Sequence, residues 1–438
     1  MTIKFKLTAL TGAILLLSAS AASAVDFDGY LRAGPAATSK KNAARGCYKL
    51  NTPGMQYRLG NECDFYGEFG FAQNGTVGGV TYKGYVMINK YEPDSNGDQN
   101  SAKNNVAFEQ MYVEAQGYDI LPDAKFWAGK RFYGRYNVDM VDTFYSNLTG
   151  TGGGVYNIGA GPGKFGIAYF KSDLGINDNT LGTYSGVSGN RINIEYYDLP
   201  VNPGGKIRIV GTLTDANVDG NSVNANTAGF GGKDGKSGAG LTVLHFQENL
   251  FGLGKDTSNT FFAQYAQGST DLNGSFGSAT ADSGRKAYRL VESLTWQVGP
   301  FGGQGQVMVQ QDKYDVAQTI TVNPSGSGQY TKKTSWTIGA RGSYAVTNNF
   351  KLLLEAGYSE IHPDGQNTAK LGKITFAPAL AVGPGYWNRP ELRAYVTYGK
   401  WNTAAKNFDG SNAGTLNDDA FNNSRSGVSY GLQAEMWF

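Results

Sequence analysis

The sequence predicts an all-β fold, a transmembrane antiparallel β-barrel of about 18 strands, and three observations carry that prediction. The chain ends on a strand with one oily face, alternating runs recur along its length, and the connectors between runs alternate short and long. In the last stretch, Val428, Tyr430, Leu432, Ala434, Met436 and Phe438 form one nearly apolar face. Ser429, Gly431, Gln433, Glu435 and Trp437 form the other, polar except for the tryptophan. Period two with apolar residues on one side only marks a strand between oil and water. A closing barrel strand ends this way, its last aromatic in the interfacial girdle. Trp437 then points into the lumen.

The runs that follow this period, in chain order, are Phe27–Arg32, Tyr57–Gln73, Tyr82–Lys90, Phe108–Gly117, Lys125–Tyr133 and Val155–Gly161. Next come Lys164–Asp173, Arg191–Leu199, Lys206–Ala216, Gly240–Phe246, Asn259–Gly268 and Lys286–Val298. Gly305–Lys313, Ser335–Thr347, Phe350–Ile361, Gly372–Val382, Glu391–Trp401 and the closing strand complete an even set, as bacterial barrels require. Gly161-Pro162-Gly163, Pro200–Gly205, Gly299–Gly303 and Asn348-Asn349 read as short periplasmic turns. The Asn-, Asp-, Gly- and Ser-rich stretches 217–239, 269–285 and 402–427 read as external loops. The run Lys351-Leu352-Leu353-Leu354-Glu355 breaks the alternation, as expected where a strand faces a subunit neighbour or passes the rim.

Lys4, Lys6, the apolar Ala9–Leu17 and Ala22-Ser23-Ala24 predict a cleaved signal peptide over 1–24, leaving 25–438 as a single barrel domain. No later run reaches 18 uninterrupted apolar residues, so no spanning helix is expected. Gly (62 of 438 residues), Tyr (27) and Phe (23) are abundant and Pro (13) is scarce, which suits tight turns and aromatic belts. Without the two signal lysines, basic and acidic residues balance, which argues against a nucleic-acid partner. Cys47 and Cys63 in an oxidising compartment predict one disulfide, worth about 3 kcal/mol in the chain-entropy model. A metal pair would need more ligands than His245 and His362 supply, and no cofactor is expected.

Gly159-Ala160-Gly161-Pro162-Gly163-Lys164 resembles a phosphate loop, but Phe165 follows the lysine and strand alternation resumes, so a hairpin turn is expected. Two histidines and no free thiol give no ready nucleophilic catalytic set, so the chain is not expected to be an enzyme. The stretch Arg131–Tyr145 is too long for a turn and dense in Arg, Asp and aromatics. It is expected to fold into the lumen and narrow the pore; the alternative is a solvated rim loop. On the lumenal face Tyr30 with Arg32, Tyr66 with Glu68, and Trp437 with Glu435 set an aromatic beside a charge. An aromatic stacks on the C–H face of a sugar while Arg, Asp and Glu bond its hydroxyls, so a row of such pairs offers many shallow sites. The alternative for Trp437 is a girdle position at the rim.

These features join into a resemblance. The chain closely resembles the maltoporin (LamB) family of sugar-specific trimeric outer-membrane porins. The resemblance rests on Val25-Asp26-Phe27-x-Gly29-Tyr30 and Tyr57-Arg58-Leu59-Gly60-Asn61-Glu62-Cys63. Trp127-Ala128-Gly129-Lys130-Arg131-Phe132-Tyr133-x-Arg135, Trp387-x-Arg389-Pro390 and Tyr398-x-Lys400-Trp401 extend it over nearly the whole chain. It implies an 18-stranded barrel, a third loop folded inward, a homotrimer in the outer membrane of a Gram-negative bacterium, and facilitated diffusion of oligosaccharides along a lumenal aromatic track. Tyr30, Tyr66, Trp387 and Trp437 match the track, and Arg32, Arg58, Glu68, Arg135 and Asp142 match its polar partners. Asn137 stands where the family's maltoporins have an acid, Asp139 where they have a histidine, and Phe144 in place of a constriction tyrosine. Near Glu109 an arginine is expected; Ser258 stands where a track aromatic belongs, with Phe262, in phase with Gln264, as its substitute. The second external loop, around Tyr91 to Asn105, lacks the tryptophan that would reach a neighbouring subunit. The implied substrates are maltose, malto-oligosaccharides or related oligosaccharides. A general diffusion porin, or a porin for sucrose or β-glucosides, is the competing reading.

Overall fold

The computed structural model describes residues 25–40, 46–62, 64–92, 106–173, 188–216, 234–254, 256–277, 284–321, 327–408, 416, 421 and 424–438. Its strands are β1 (Asp26–Ala33), β2 (Ala36–Thr38), β3 (Phe65–Val77), β4 (Val80–Glu92), β5 (Val106–Gln116), β6 (Lys125–Arg131), β7 (Tyr136–Val138) and β8 (Thr143–Ser146). After these come β9 (Gly150–Ala160), β10 (Gly163–Asp173), β11 (Ser188–Asn202), β12 (Gly205–Asp215), β13 (Ser237–Glu248), β14 (Ser258–Gly268) and β15 (Lys286–Val298). The last are β16 (Phe301–Thr321), β17 (Ser327–Ala345), β18 (Phe350–Pro363), β19 (Ala369–Ala381), β20 (Glu391–Trp401) and β21 (Ser426–Trp437). β7 and β8 form a separate ribbon. β2 continues the line of β1 beyond Gly34-Pro35 and pairs with the same strand, β21. The remainder is a closed antiparallel barrel of 18 strands, each paired with its sequence neighbours, with β1 joining both β3 and β21.

The wall is inverted relative to a water-soluble protein. Along β20, Glu391, Arg393, Tyr395, Thr397, Gly399 and Trp401 are buried, while Leu392, Ala394, Val396, Tyr398 and Lys400 are exposed. Gln304, Gln306 and Gln310 of β16 likewise point in, and Val307 and Val309 point out. Such an exterior is stable only against lipid. Ring closure leaves no sheet edge unpaired in a medium without water. The closing strand has the two faces its alternation predicts. The seam is made by backbone bonds between Phe438 and Gly29, 3.0 and 3.1 Å long. Phe438 packs on Phe27 (ring centroids 4.9 Å apart) and Phe69 (6.2 Å) on the outside, in the space that a side chain at Gly29 would fill.

The hairpin Ala160–Gly163 is the expected turn, with Gly161 at φ +59°. The other three short connectors are also turns. Three expectations are corrected. The strand expected from Tyr57 begins only at Phe65. Residues 46–62 lie inside the barrel, with Tyr48, Leu50, Met55, Tyr57, Leu59 and Glu62 buried. Of the stretch 269–285, Ser269, Thr270 and Leu272 are buried, and 269–277 turns back against the wall instead of standing in solvent. The leucine run keeps the alternation: Leu352 and Leu354 face out, and Leu353 faces in beneath Leu59 with Ala377, Ala379 and Tyr395. An apolar residue is stable there because the inward segment covers it. Cys47 is buried, while Cys63, residues 1–24 and 93–105 lie outside the described residues.

Candidate functional site

Four aromatic residues with inward-phase or lumenal positions line one arc of the interior. Tyr30 on β1 and Tyr66 on β3 have ring centroids 6.2 Å apart. Trp437 on β21 is the cross-strand partner of Tyr30, and its ring lies 6.2 Å from Trp387 in the connector before β20. Trp387 is 41% exposed, so its ring presents a usable face. Arg389 stacks on Trp437 with its guanidinium carbon 4.6 Å from the ring centre, and Tyr386 meets Trp387 edge-on at 4.8 Å. Beside this row, Tyr66 donates to Glu68 (2.6 Å), Tyr85 to Asp28 (2.7 Å) and Tyr30 to Glu435 (3.0 Å).

The charges nearest the row are largely spent on one another. Glu435 accepts from Arg58, Arg389 and Arg393 as well as from Tyr30. Arg58, only 4% exposed, also reaches Glu62 (2.6 Å), Asp139 (2.9 Å) and the Tyr30 hydroxyl. Arg32 grips Asp64 with two bonds (2.9 and 3.1 Å) and meets Asp142 (2.9 Å) and Glu62 (3.0 Å). Arg32 and Arg58 therefore rivet the inward segments to the wall, a role that neutralises charge in a confined, weakly solvated space. Asp64, Glu62 and Arg389 complete the rivets.

The stretch between β6 and β9 is held by many wall residues. Met140 N donates to Gln304 (2.8 Å), the Tyr145 hydroxyl to Gln306 (2.9 Å), and Gln264 Nε2 to the Tyr145 carbonyl (2.6 Å). Arg341 approaches Asp139 at 3.7 Å. Asp142 sits in the left-handed region (φ 48°) and is half-buried. Burial pushes its carboxyl up, but the Arg58 and Arg32 guanidinia outweigh this and hold it below the usual carboxylate range. Arg135 is clamped between Phe132 and Phe144, its guanidinium carbon 3.8 and 3.7 Å from the two ring centres. Phe144 thus supplies a ring face to Arg135 instead of a hydroxyl to the pore. Asn137 is exposed.

The structure does not gather every residue anticipated. Phe262 is 0% exposed and packs under Tyr145 at 5.5 Å, so it presents no face to a solute. Ser258 opens β14, away from the aromatic row. Glu109, where an arginine was expected, accepts from Asn89 (3.1 Å) and lies 3.9 Å from Lys130. Missed altogether was the seating of the segment 46–62. Tyr57 rests on Gly339 and Gly357, and Tyr48 on Gly399 and Gly427; each glycine pair faces across two neighbouring strands. A side chain at any of the four would collide with the tyrosine. Paired inward-phase glycines on adjacent strands were the available signal.

A closed barrel with an apolar exterior, a polar interior and segments packed inside it is a membrane diffusion channel, a porin. The chain belongs to the LamB porin family, whose model matches residues 25–438. It is 30% identical to Maltoporin 1 of Aeromonas salmonicida over 475 aligned positions, covering all of both chains. It is 29% identical to the Maltoporin of Hahella chejuensis, over 95% of this chain and 93% of the relative. Among solved structures, a BenF-like porin from Pseudomonas fluorescens overlays 94% of this chain and 99% of its own, with a TM-score of 0.49 and 12% identity.

Proposed function

We propose that this barrel is a sugar-selective outer-membrane porin that conducts maltose, malto-oligosaccharides or related oligosaccharides by facilitated diffusion. The observation that carries the reading is the row Tyr66, Tyr30, Trp437 and Trp387, with spacings of 6.2 Å between the first two rings and 6.2 Å between the last two. A sugar chain slides from ring to ring because each contact is weak and the next is near. Glu68 and Asp142 accept from its hydroxyls, and Arg135 donates, while Phe144 narrows the passage. The segment 132–149 is the third external loop folded inward; its ties to Gln304, Gln306 and Gln264 support this. The maltoporin relatives support the sugar class. A cleaved signal peptide over 1–24, a Cys47–Cys63 disulfide and a homotrimer complete the proposal.

Ion current through the protein in a planar bilayer, titrated with glucose, maltose, longer malto-oligosaccharides and sucrose, tests the reading. Block that tightens with chain length is the expected result. Trp437→Ala removes one stacking face and should weaken that block about tenfold, as stacking contacts of about 1–3 kcal/mol per ring predict. Current indifferent to every sugar would make this a general diffusion pore.

A further inference from the structure

At the end of β15–β17 away from the short turns, the cations divide into two sets. On the inner side, Arg285 and Lys333 both approach Asp312, each at 3.8 Å. On the outer face, Lys286, Lys313 and Lys332 are direct cross-strand partners on β15, β16 and β17, and all are exposed. Like charges directly opposite one another destabilise a sheet. Among the described residues no ion pair or side-chain hydrogen bond engages these lysines. Of the nearby carboxylates, Asp315 accepts from the Gly284 amide (3.0 Å), and Asp364 meets Lys332 only through the backbone (2.8 Å). The row is a positive strip whose charge nothing on the wall neutralises.

Its height on the wall decides what it faces. Phe301 follows the short turn Gly299-Pro300 and packs on Trp296 at 5.7 Å, in the girdle of the periplasmic side. From Phe301 to Lys313, β16 climbs about 30 Å along the barrel axis, at about 3.4 Å per residue and a tilt of about 40°. The apolar band of such a barrel is about 25 Å tall, so the lysines stand just above it on the external side. The outward residues in between agree: Leu290 on β15, Val307 and Val309 on β16 and Ile338 on β17 are exposed and apolar. Glu292 is the exception, and it accepts from Asn259. Just below the row, Tyr288 packs on Tyr265 (5.1 Å) and Trp336 on Tyr358 (5.6 Å), a second girdle at the external interface. The ammonium groups thus lie where the headgroups of the outer leaflet begin, with acyl chains against the apolar residues beneath.

We propose that Lys286, Lys313 and Lys332 form a site for the phosphorylated headgroup of an outer-leaflet lipid. Their stems stand about 5 Å apart, one strand spacing each, so neighbouring ammonium groups can share the oxygens of one phosphate. A zwitterionic headgroup carries its own cation and gains less from such a row. The site is on the outer wall and does not depend on what crosses the lumen.

The test is native mass spectrometry of the intact protein in detergent, titrated with lipid A, a diphosphorylated acylated disaccharide, or with phosphatidylethanolamine. Lys286→Gln, Lys313→Gln and Lys332→Gln together should weaken binding of the first lipid A about a hundredfold, at about fivefold for each lysine. Phosphatidylethanolamine should bind the parent and the triple variant alike. Lys400→Gln, at an exposed lysine of β20, should leave lipid A binding unchanged. All the substituted side chains are exposed, so the barrel should fold as before, and an unchanged open-channel conductance checks this. Undiminished lipid A binding in the triple variant overturns the proposal. So does displacement of lipid A by inorganic phosphate at the lipid's own concentration, which would make the row a site for free phosphate. A changed oligomeric state in the triple variant overturns it as well, because the row would then be a contact with a second copy of the chain.

Discussion

The two arcs of the interior are built on the same alternation and do different work. From β16 to β20, Gln306, Thr337, Arg341, Glu355, Thr375 and Thr397 are buried, covered largely by the segments 46–62 and 132–149. Glu355, for instance, accepts from the Leu59 amide (3.0 Å), Lys373 (3.1 Å) and Arg341 (2.7 Å), while Lys373 and Thr375 donate to the Leu59 carbonyl. On β1, β3 and β5 the inward Tyr30, Tyr66, Glu68 and Glu109 remain partly open. Polarity places a side chain on the inner face, but what lies over it decides whether it holds the pore's shape or touches a solute.

The sharpest break of this comparison is on the covered arc. Glu355→Ala strands two buried cations, and such losses cost about 3–5 kcal/mol. The urea midpoint of the folded barrel in detergent should fall accordingly, and open-channel conductance should rise as 46–62 loosens. Conductance and midpoint equal to the parent protein would mean that the segment is held by something else.

The neighbouring leucines give a smaller and cleaner contrast. Leu353→Ala opens a cavity under Leu59 and should cost about 2–5 kcal/mol. Leu354, 52% exposed on the lipid face, leaves no cavity, and Leu354→Ala should stay within about 1 kcal/mol. Equal losses at both positions would deny that Leu353 is covered.

On the open arc the effect should move from stability to binding. Glu68→Gln keeps the unfolding midpoint within about 0.5 kcal/mol. It should weaken malto-oligosaccharide block about two- to tenfold, the worth of one hydrogen bond. A large stability loss there would erase the difference between the arcs.

The smallest effect is in pH. Because its folded-state carboxyl is held below the usual range, Asp142 contributes stability that is present above the ordinary aspartate value and lost as pH falls through the depressed one. Current noise should therefore be flat from about pH 7 to 5 and grow below about pH 4, where the tie to Arg32 is protonated away. Asp142→Asn should be noisy throughout.

Much of this was legible in the chain. Period two in Val428–Phe438 marks which face meets lipid, because a strand has only two sides and only one tolerates charge there. Tyr30, Tyr66 and Trp437 stand out because each is an aromatic in the polar phase, and Gly161-Pro162-Gly163 announces a turn by local backbone preference alone. Other features depended on partners far away in sequence. Phe262 has the phase of a lumenal aromatic, yet Tyr145 covers it. Arg32 and Arg58 read as free donors until Asp64, Glu62, Asp139 and Glu435 converge on them from separate segments. Residues 57–62 read as the start of a strand, yet the Leu59 carbonyl accepts from Lys373 and Thr375, and the Tyr48 and Tyr57 rings rest on paired glycines far on in the chain. The sequence by itself determined the barrel and its two faces, because alternation is a local property of the strand. Only the tertiary structure decided which inner residues stay open to the pore, because that depends on which distant segment comes to rest over them.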